Sequence, residues 1–330
     1  MATAVATPSV RRHRFGAVGS VGRRPLVRFI VKRVLQAVLV LFFVATVAFF
    51  IIRIAGDPVK ALLPEGATLQ QEQQLRHSLG YDRPLFLQYL TYLNNLLHFN
   101  FGQSVFFQQS AISVITQRLP ATVQLATAAL VFAVVVAIPA GIISAVRRGR
   151  ATDSSVMAAV LIGQSTPAFF VGIVLILVFA VELRVLPASG IGGFQNLILP
   201  AVTLGLYSAA MIARLLRSSL IEVLGEDHIR TAKAKGLSPM RVIVGNGLRN
   251  AALPVVTIVG LEVGNLLGGA IITEQVFSWP GVGRLTIEAI TNRDYPLVQA
   301  TVLFLAVVFV GVNLIVDILY AFLDPRVRLS

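Results

Sequence analysis

The chain has no cysteine, four histidines and one tryptophan in 330 residues. Without cysteine it cannot form disulfides, haem thioethers or thiolate metal sites. The histidines are scattered without metal-ligand spacing, and no Ser/His/Asp set can be assembled inside one hydrophobic segment. A nucleotide-binding loop of the form GxxxxGKS or GxxxxGKT is also missing. We therefore predict a protein that is not an enzyme and holds no metal.

Charged residues are scarce, at 13% against 56% hydrophobic residues, and the mean hydropathy is +0.80. This composition is typical of an integral membrane protein. A crossing helix needs about 20 predominantly apolar residues. We predict an all-α protein with six transmembrane helices, of which the fourth is short and is expected to extend upstream through Gly192–Leu197. The six runs are Val34–Ile52, Leu119–Val146, Ser154–Val181, Ile198–Ala213, Asn250–Leu261 with Val263–Thr273, and Leu297–Val316.

The basic residues are distributed unevenly over the two sides of the predicted spans. Of the 28 Lys and Arg residues, 20 fall on the side that carries both termini and eight on the other. By the positive-inside rule, both termini are cytoplasmic. Residues 1–27 are then a disordered basic cytoplasmic tail, and residues 28–330 form the transmembrane domain. The net charge of +13 reflects this topology, and no basic face with interleaved aromatic residues indicates nucleic-acid binding.

Two segments are expected on the external side. Residues 53–118 contain a polar helix, Leu69–Leu79, and an amphipathic, aromatic helix, Leu85–Phe99. The second helix is too short to cross and is expected to lie at the outer interface, either as a packing cap or as a docking element. Residues 274–296 form the other external element and contain the only tryptophan. Three aromatic residues of the interfacial helix are expected at headgroup level: Tyr89, Tyr92 and Phe99.

The basic loop 214–250, between the fourth and fifth spans, contains an ordered helix–turn–helix. A helix is predicted over Ile229–Lys235, and Gly236 is placed to end it in the left-handed conformation. Ser238 as N-cap and Pro239 at the first helical position restart a helix that runs into the next span. The sequence therefore predicts a rigid cytoplasmic projection that can transmit force to a membrane helix.

Polar side chains inside the spans are candidates for a translocation path. At 100° per residue, Glu262 shares one face of the fifth span with Asn265, Gly269 and Thr273, while a stripe of glycines suits close helix packing on the opposite face. The polar face is expected to line a path; the alternative is a structural hydrogen bond, or a protonated Glu262 paired with a neighbouring helix. The glycines are Gly260, Gly264 and Gly268. Further path candidates are Gln164 and Ser165, at a polar kink before Pro167, and Gln124 in the second span.

Several sequence blocks resemble the ABC importer permeases. Residues Thr231–Gly236, continuing to Leu253-Pro254, are similar to the coupling motif of that family, although Arg230-Thr231-Ala232 stands where the general motif has Glu-Ala-Ala. Further blocks resemble the peptide branch, in particular the first (B-type) of the two paralogous membrane subunits of dipeptide, oligopeptide and nickel importers. These blocks are Arg33–Pro58, Phe101–Ser104, Arg118–Thr122, Leu186–Gly190, Phe277–Gly283, Arg293–Pro296 and Leu323–Arg326.

The resemblance implies a type I ABC importer permease fold with external amphipathic helices and a cytoplasmic coupling helix, in the bacterial inner membrane. It implies a sister permease subunit, two cytosolic ABC ATPases that bind ATP and Mg, an external substrate-binding protein and a di- or oligopeptide substrate. The alternatives are import of nickel or another small solute and, in a different class, a stand-alone secondary transporter. The implied ATPase-coupling residues are Asp227, His228, Arg230, Thr231, Ala232, Lys233, Ala234, Lys235, Gly236 and Leu237.

Overall fold

The computed structural model describes residues 23–323, apart from residues 56–58, 60–62, 64–65 and 79. Most of the predicted N-terminal tail, residues 1–22, lies outside the described residues. So do Gly56–Pro58, at the end of the first block that resembles the peptide branch, and residues 324–330, which include most of the last block. The first helix begins at Arg23 and so already includes the last residues of the predicted tail.

Within the described part of the chain, the regular structure is helical. The helices, in chain order, are α1 (Arg23–Ala55), α2 (Leu69–Ser78), α3 (Leu85–Leu97), α4 (Ala111–Val146), α5 (Ala151–Ser165), α6 (Ala168–Leu175, continued by a π-helix over Ile176–Glu182), α7 (Phe194–Leu224), α8 (Asp227–Ala234), α9 (Pro239–Arg241, continued by a π-helix over Val242–Leu248), α10 (Arg249–Val276), α11 (Val282–Thr291) and α12 (Tyr295–Leu323).

Among the described residues, five helical segments are long and apolar enough to cross a membrane: α1, α4, α7, the continuous helix from α9 to α10, and α12. The predicted third span is different, because α5 and α6 meet at an angle of 105°. Thr166 and Pro167 separate them, and Pro167 cannot donate the backbone hydrogen bond that a continuous helix needs. The sequence predicted a kink within one helix, whereas the structure has two helices with a break between them. The fourth span extends both upstream and downstream of the predicted Ile198–Ala213.

The core of the bundle is the contact between α4 and α7, which is made largely by small residues. Ala129, Ala133 and Ala137 recur every four residues along α4 and are fully buried. Ala209 and Ala213 are buried on the facing side of α7. Small side chains let two helix backbones approach closely, which strengthens van der Waals packing where water is absent. These two helices form the rigid centre on which the other elements are placed.

The element that follows α10, predicted to be external, is fixed to the bundle by a buried carboxylate. Glu274 accepts a hydrogen bond from Thr122 Oγ1 at 2.7 Å and another from the backbone N–H of Arg284 at 2.9 Å. Trp279 is fully buried and donates its indole N–H to a backbone carbonyl of α4 at 2.8 Å. A Cβ atom added at Gly281 would overlap the carboxylate of Glu274. The predicted external element is thus a packed cap on the ends of α4 and α10.

The first and last helices lie side by side at the edge of the bundle. Among the spans, α1 packs chiefly against α12. The Nε atom of Arg33 lies 3.2 Å from Asp317 Oδ2, so an ion pair joins the start of α1 to the end of α12. Another side of α1 carries exposed apolar side chains such as Leu35, Leu39 and Phe43, as expected for a helix that faces lipid.

Candidate coupling site and translocation surface

The predicted coupling segment forms a short helix directly after α7. α8 begins two residues before the predicted Ile229–Lys235 and ends one residue earlier. Gly236 has φ +75°, so the left-handed turn expected from the sequence is confirmed. A Cβ atom added at Gly236 would have no atom within 4 Å. Backbone conformation alone therefore favours glycine at this position.

Two apolar side chains attach α8 to the bundle. Ile229 and Ala232 lie three residues apart on one face of α8 and are buried in a hydrophobic cluster. Leu216 and Leu220 of α7 belong to this cluster, as does Val242 at the start of the helix that leads to α10. A helix of eight residues is unstable by itself in water, so these contacts determine its position. A displacement of α8 is consequently passed to both α7 and α10.

The other coupling candidates form an exposed and mostly basic surface. Arg230 pairs with Asp227 at 3.2 Å, and His228 Nδ1 lies 2.9 Å from Glu226 Oε2, so both contacts are local. Leu237 is half-buried and packs against the anchoring cluster, which places it with Ala232 rather than with the exposed set. The exposed candidates are Asp227, His228, Arg230, Thr231, Lys233, Ala234, Lys235 and Gly236.

The chain restarts as a helix directly after this turn. Ser238 occupies the N-cap position and Pro239 the first helical position, as predicted, although the Ser238 side chain makes no capping hydrogen bond. The helix then continues through the π-helical stretch Val242–Leu248 into α10 without interruption. π-Helical stretches are frequent at functional sites. One helix of 38 residues therefore connects the turn after α8 to the external cap.

A partly buried ion pair, which the sequence did not predict, braces the same end of the bundle. Arg217 of α7 donates to both carboxylate oxygens of Asp153 on α5, from Nε at 2.8 Å and from Nη2 at 2.7 Å. Ser144 of α4 donates to the same carboxylate. A bidentate pair fixes geometry as well as charge. In the sequence, the only sign of this contact is that Asp153 closely follows the basic loop 147–150.

Glu262 lies between two helices. Its side chain is buried, at 1% exposure. Ser208 of α7 donates to one carboxylate oxygen, and Asn265 Nδ2 donates to the other at 3.1 Å. A carboxyl group at this depth needs such partners, because leaving it unpaired in a low-dielectric environment is costly. The geometry matches the structural alternative, a hydrogen bond to a neighbouring helix, and does not place Glu262 on a path wall.

The polar face predicted for the fifth span is divided between surface and interior. Asn265 and Gly269 are exposed, whereas Glu262 and Thr273 are buried. The hydroxyl of Thr273 has no hydrogen-bond partner among the described residues. The prediction of one uniform polar face was wrong, because α7 covers part of that face.

The glycine stripe on α10 packs only in part. A Cβ atom at Gly260 would lie 3.0 Å from Val316, and one at Gly264 would lie 3.5 Å from Phe309, so both glycines face α12. Gly268 has no atom within 4 Å of such a position. Two of the three predicted glycine contacts are thus present.

The break between α5 and α6 opens a cavity of about 310 Å³ inside the span region. Gln164 and Ser165 line it from α5, and Thr203 and Tyr207 line it from α7. Ser165 and Tyr207 are exposed, and Gln164 is half-buried with its Nε2 3.5 Å from the sulfur of Met211. The path candidates before Pro167 therefore face an opening that is lined by both polar and apolar side chains. Gln124 is also exposed, but it lies on α4 and does not line this cavity.

Comparison with known proteins shows to which family the chain belongs. Residues 137–329 match the family described as binding-protein-dependent transport system inner membrane component, and residues 26–126 match the corresponding N-terminal family. The chain is an ABC importer permease of this family. The Glutathione transport system permease protein GsiC of Escherichia coli (strain K12) is 41% identical over 304 residues, which cover 92% of this chain and 99% of GsiC. GsiC of Shigella dysenteriae serotype 1 (strain Sd197) matches to the same extent.

The fold of the permease agrees with that of a solved ABC importer. A structure of the MetNI methionine ABC transporter, described as inward-facing, aligns with a TM-score of 0.52 and 19% sequence identity. The alignment covers 64% of this permease and 97% of the MetNI chain. At this identity the likeness shows the fold alone. The predicted ABC importer permease fold is confirmed.

Helix α3 of the permease, which the sequence predicts to be external, differs from the prediction in the direction of its aromatic residues. The hydroxyls of Tyr89 and Thr46 are hydrogen-bonded at 2.7 Å, and the ring of Tyr92 lies 5.4 Å from that of Phe49. Both tyrosines therefore pack on α1 instead of facing headgroups, because stacking against a neighbouring aromatic ring buries them. Phe99 is 81% exposed, as predicted for an interfacial residue.

Proposed function

We propose that this permease is the first (B-type) membrane subunit of an ATP-driven importer of short peptides, with glutathione as the first substrate to test. The proposal rests on the 41% identity that spans 92% of this chain and 99% of GsiC, a protein named for glutathione transport. In this role the chain is non-catalytic and forms half of the translocation path. A sister permease forms the other half, two ABC ATPases bind ATP and Mg, and an external binding protein delivers the substrate.

The geometry of α8 supports a contact with one of the ATPases. Its inner face is anchored to α7 and to the helix that leads into α10, and its outer face is free and mostly basic. The distribution of Lys and Arg, 20 against eight, favours a cytoplasmic position for α8 and for both termini. Movement of an attached ATPase would therefore reach two membrane helices through one rigid element.

Polar residues exposed within the spans support a translocation path along α5, α7 and α10. Ser165, Tyr207 and Asn265 are exposed on these helices although the surrounding segments are apolar. Polar groups in direct contact with lipid are unfavourable, so such a face is expected against water or against the sister subunit. Glu262 is assigned a supporting role, because it holds α7 and α10 together behind this face.

The experiment that tests the function is purification of the tagged chain from native membranes, followed by reconstitution of what co-purifies into proteoliposomes. Mass spectrometry is expected to identify a sister permease, two ATPases and a binding protein. ATP-dependent uptake of labelled glutathione, a dipeptide and Ni²⁺ is then compared. Uptake of the peptides alone supports the proposal. Uptake of Ni²⁺ alone, or uptake that follows an ion gradient in the absence of ATPases, overturns it.

A further inference from the structure

A second and larger cavity, of about 720 Å³, lies where α1 ends and α12 begins. It is enclosed by α1, α3, the segment 100–108 and the first residues of α12. Its volume is within the range of roughly 300–1,000 Å³ that is usual for small-molecule sites. It shares no lining residue with the coupling helix or with the cavity at the α5–α6 break. It is therefore not explained by the transport function proposed above.

The charge of this cavity is positive. Among the described residues that line it, none is Asp or Glu, while Arg53, Arg83 and His77 are present. His77 Nδ1 is hydrogen-bonded to Asp82 at 2.6 Å, and this hydrogen bond holds the pKa of Asp82 below its ordinary value. Neither arginine forms an ion pair with a carboxylate within the described part of the chain, although the charge of Arg83 also contributes to the lowered pKa of the neighbouring Asp82.

Arg53 is held in a fixed position by neutral groups. Its guanidinium lies over the ring of Phe49, 3.4 Å from the centroid. Nη1 donates to the carbonyl of Phe49 at 3.1 Å, and Nη2 donates to Gln88 Oε1 at 3.0 Å. The Nε atom is buried without an acceptor among the described residues. A half-buried cation that has only neutral acceptors is stabilised strongly by a nearby anion.

Unused hydrogen-bond donors accompany the two arginines. The side-chain amides of Asn95, Gln103 and Gln299 line the cavity and make no hydrogen bond to another described residue. The hydroxyl of Tyr92 is buried without a partner, and burial raises the pKa of Tyr92 to about 12, so it remains a protonated donor at neutral pH. A small number of converging polar groups around a cavity is the usual composition of a ligand site.

We propose that this cavity binds an oxyanion group, a carboxylate or a phosphate, between Arg53 and Arg83. The group can belong to a small anion in the external solution or to the headgroup of an anionic phospholipid. A lipid headgroup can reach the cavity, because α3 carries exposed apolar side chains on the side that faces away from it, namely Phe86, Leu90 and Leu97. Such an exposed apolar side is typical of a helix that lies at the membrane interface. The site does not depend on the identity of the transported substrate.

The test uses the full-length chain in nanodiscs of zwitterionic lipid. One arm titrates inorganic phosphate by calorimetry, and the other exchanges in phosphatidylglycerol and counts the retained lipids by native mass spectrometry. We expect one probe to bind and its affinity to fall at least tenfold in Arg53→Gln and in Arg83→Gln. Arg184→Gln is the matched control, because Arg184 is exposed and does not line the cavity.

The outcomes separate the two sources and can refute the site. Saturable phosphate binding assigns the site to a free anion, and retention of phosphatidylglycerol alone assigns it to a lipid headgroup. Absence of binding by both probes overturns the proposal. So does binding that Arg83→Gln weakens no more than Arg184→Gln. Arg83 is exposed, so this variant decides the question even if Arg53→Gln fails to fold.

Discussion

Replacing Gly236 with valine tests whether the turn after α8 couples ATP hydrolysis to transport. The added side chain meets no atom within 4 Å of its Cβ position, so packing contributes little to the cost. The cost comes from φ +75°, which a residue other than glycine adopts at a penalty of about 1–2 kcal/mol. This penalty lowers the ratio of native to non-native turn by roughly 5- to 30-fold. We expect substrate transported per ATP hydrolysed to fall, at most by this factor, while membrane insertion and ATPase binding are retained.

The assay measures ATP hydrolysis and peptide uptake in the same proteoliposomes. Gly149→Val is the matched control, because Gly149 has φ +76° and equally open surroundings but does not adjoin α8. Gly236→Asn is expected to lose much less coupling, since asparagine tolerates the left-handed conformation better than valine does. Normal coupling in Gly236→Val, or an equal loss in Gly149→Val, would refute the reasoning.

Three further predictions concern the anchor, the external cap and the buried carboxylate. Ile229→Ala truncates a fully buried side chain at a cost of about 2–5 kcal/mol, so transport should be lost, whereas Ile290→Ala, which truncates a side chain that is 54% exposed on α11, should keep it; similar uptake by the two variants would contradict the anchor. Gly281→Ala forces a methyl group against Glu274 and should lower the thermal unfolding midpoint, and an unchanged midpoint would show that the cap tolerates the overlap. Glu262→Gln keeps the shape and hydrogen-bonding capacity of the site, so uptake should persist, whereas loss of uptake in an assembled complex would restore a path role.

Local sequence chemistry predicted much of the backbone structure of the candidate coupling segment correctly. The positions of Gly236, Ser238 and Pro239 depend on backbone preferences that act over a few residues, and the structure places all three as expected. The spans were also predictable, because long apolar runs must become helices in a membrane. The continuation of α7 to Leu224 was not predicted, since charged residues at a helix end do not show where the helix stops.

Contacts between distant segments could not be read in this way. Pro167 indicated a bend, but the angle of 105° also depends on the helices that pack around it. Helical spacing placed Glu262 on a polar face, and only the position of α7 shows that Ser208 covers it. Asp153 and Arg217 are 64 positions apart in the chain. A single sequence contains no signal that joins two such residues.

The pairing of α1 with α12 has a consequence for biogenesis. The first span leaves the ribosome early, whereas its main neighbour among the spans is synthesised last. During that interval the hydrophobicity of α1 alone retains it in the bilayer. Arg33 then lies at the membrane surface without its ion-pair partner Asp317. α1 and α12 can therefore pair only after all the spans between them have been synthesised. A chain that stops before α12 leaves α1 without its main neighbour among the described spans, as a helix that only its hydrophobicity holds in the lipid.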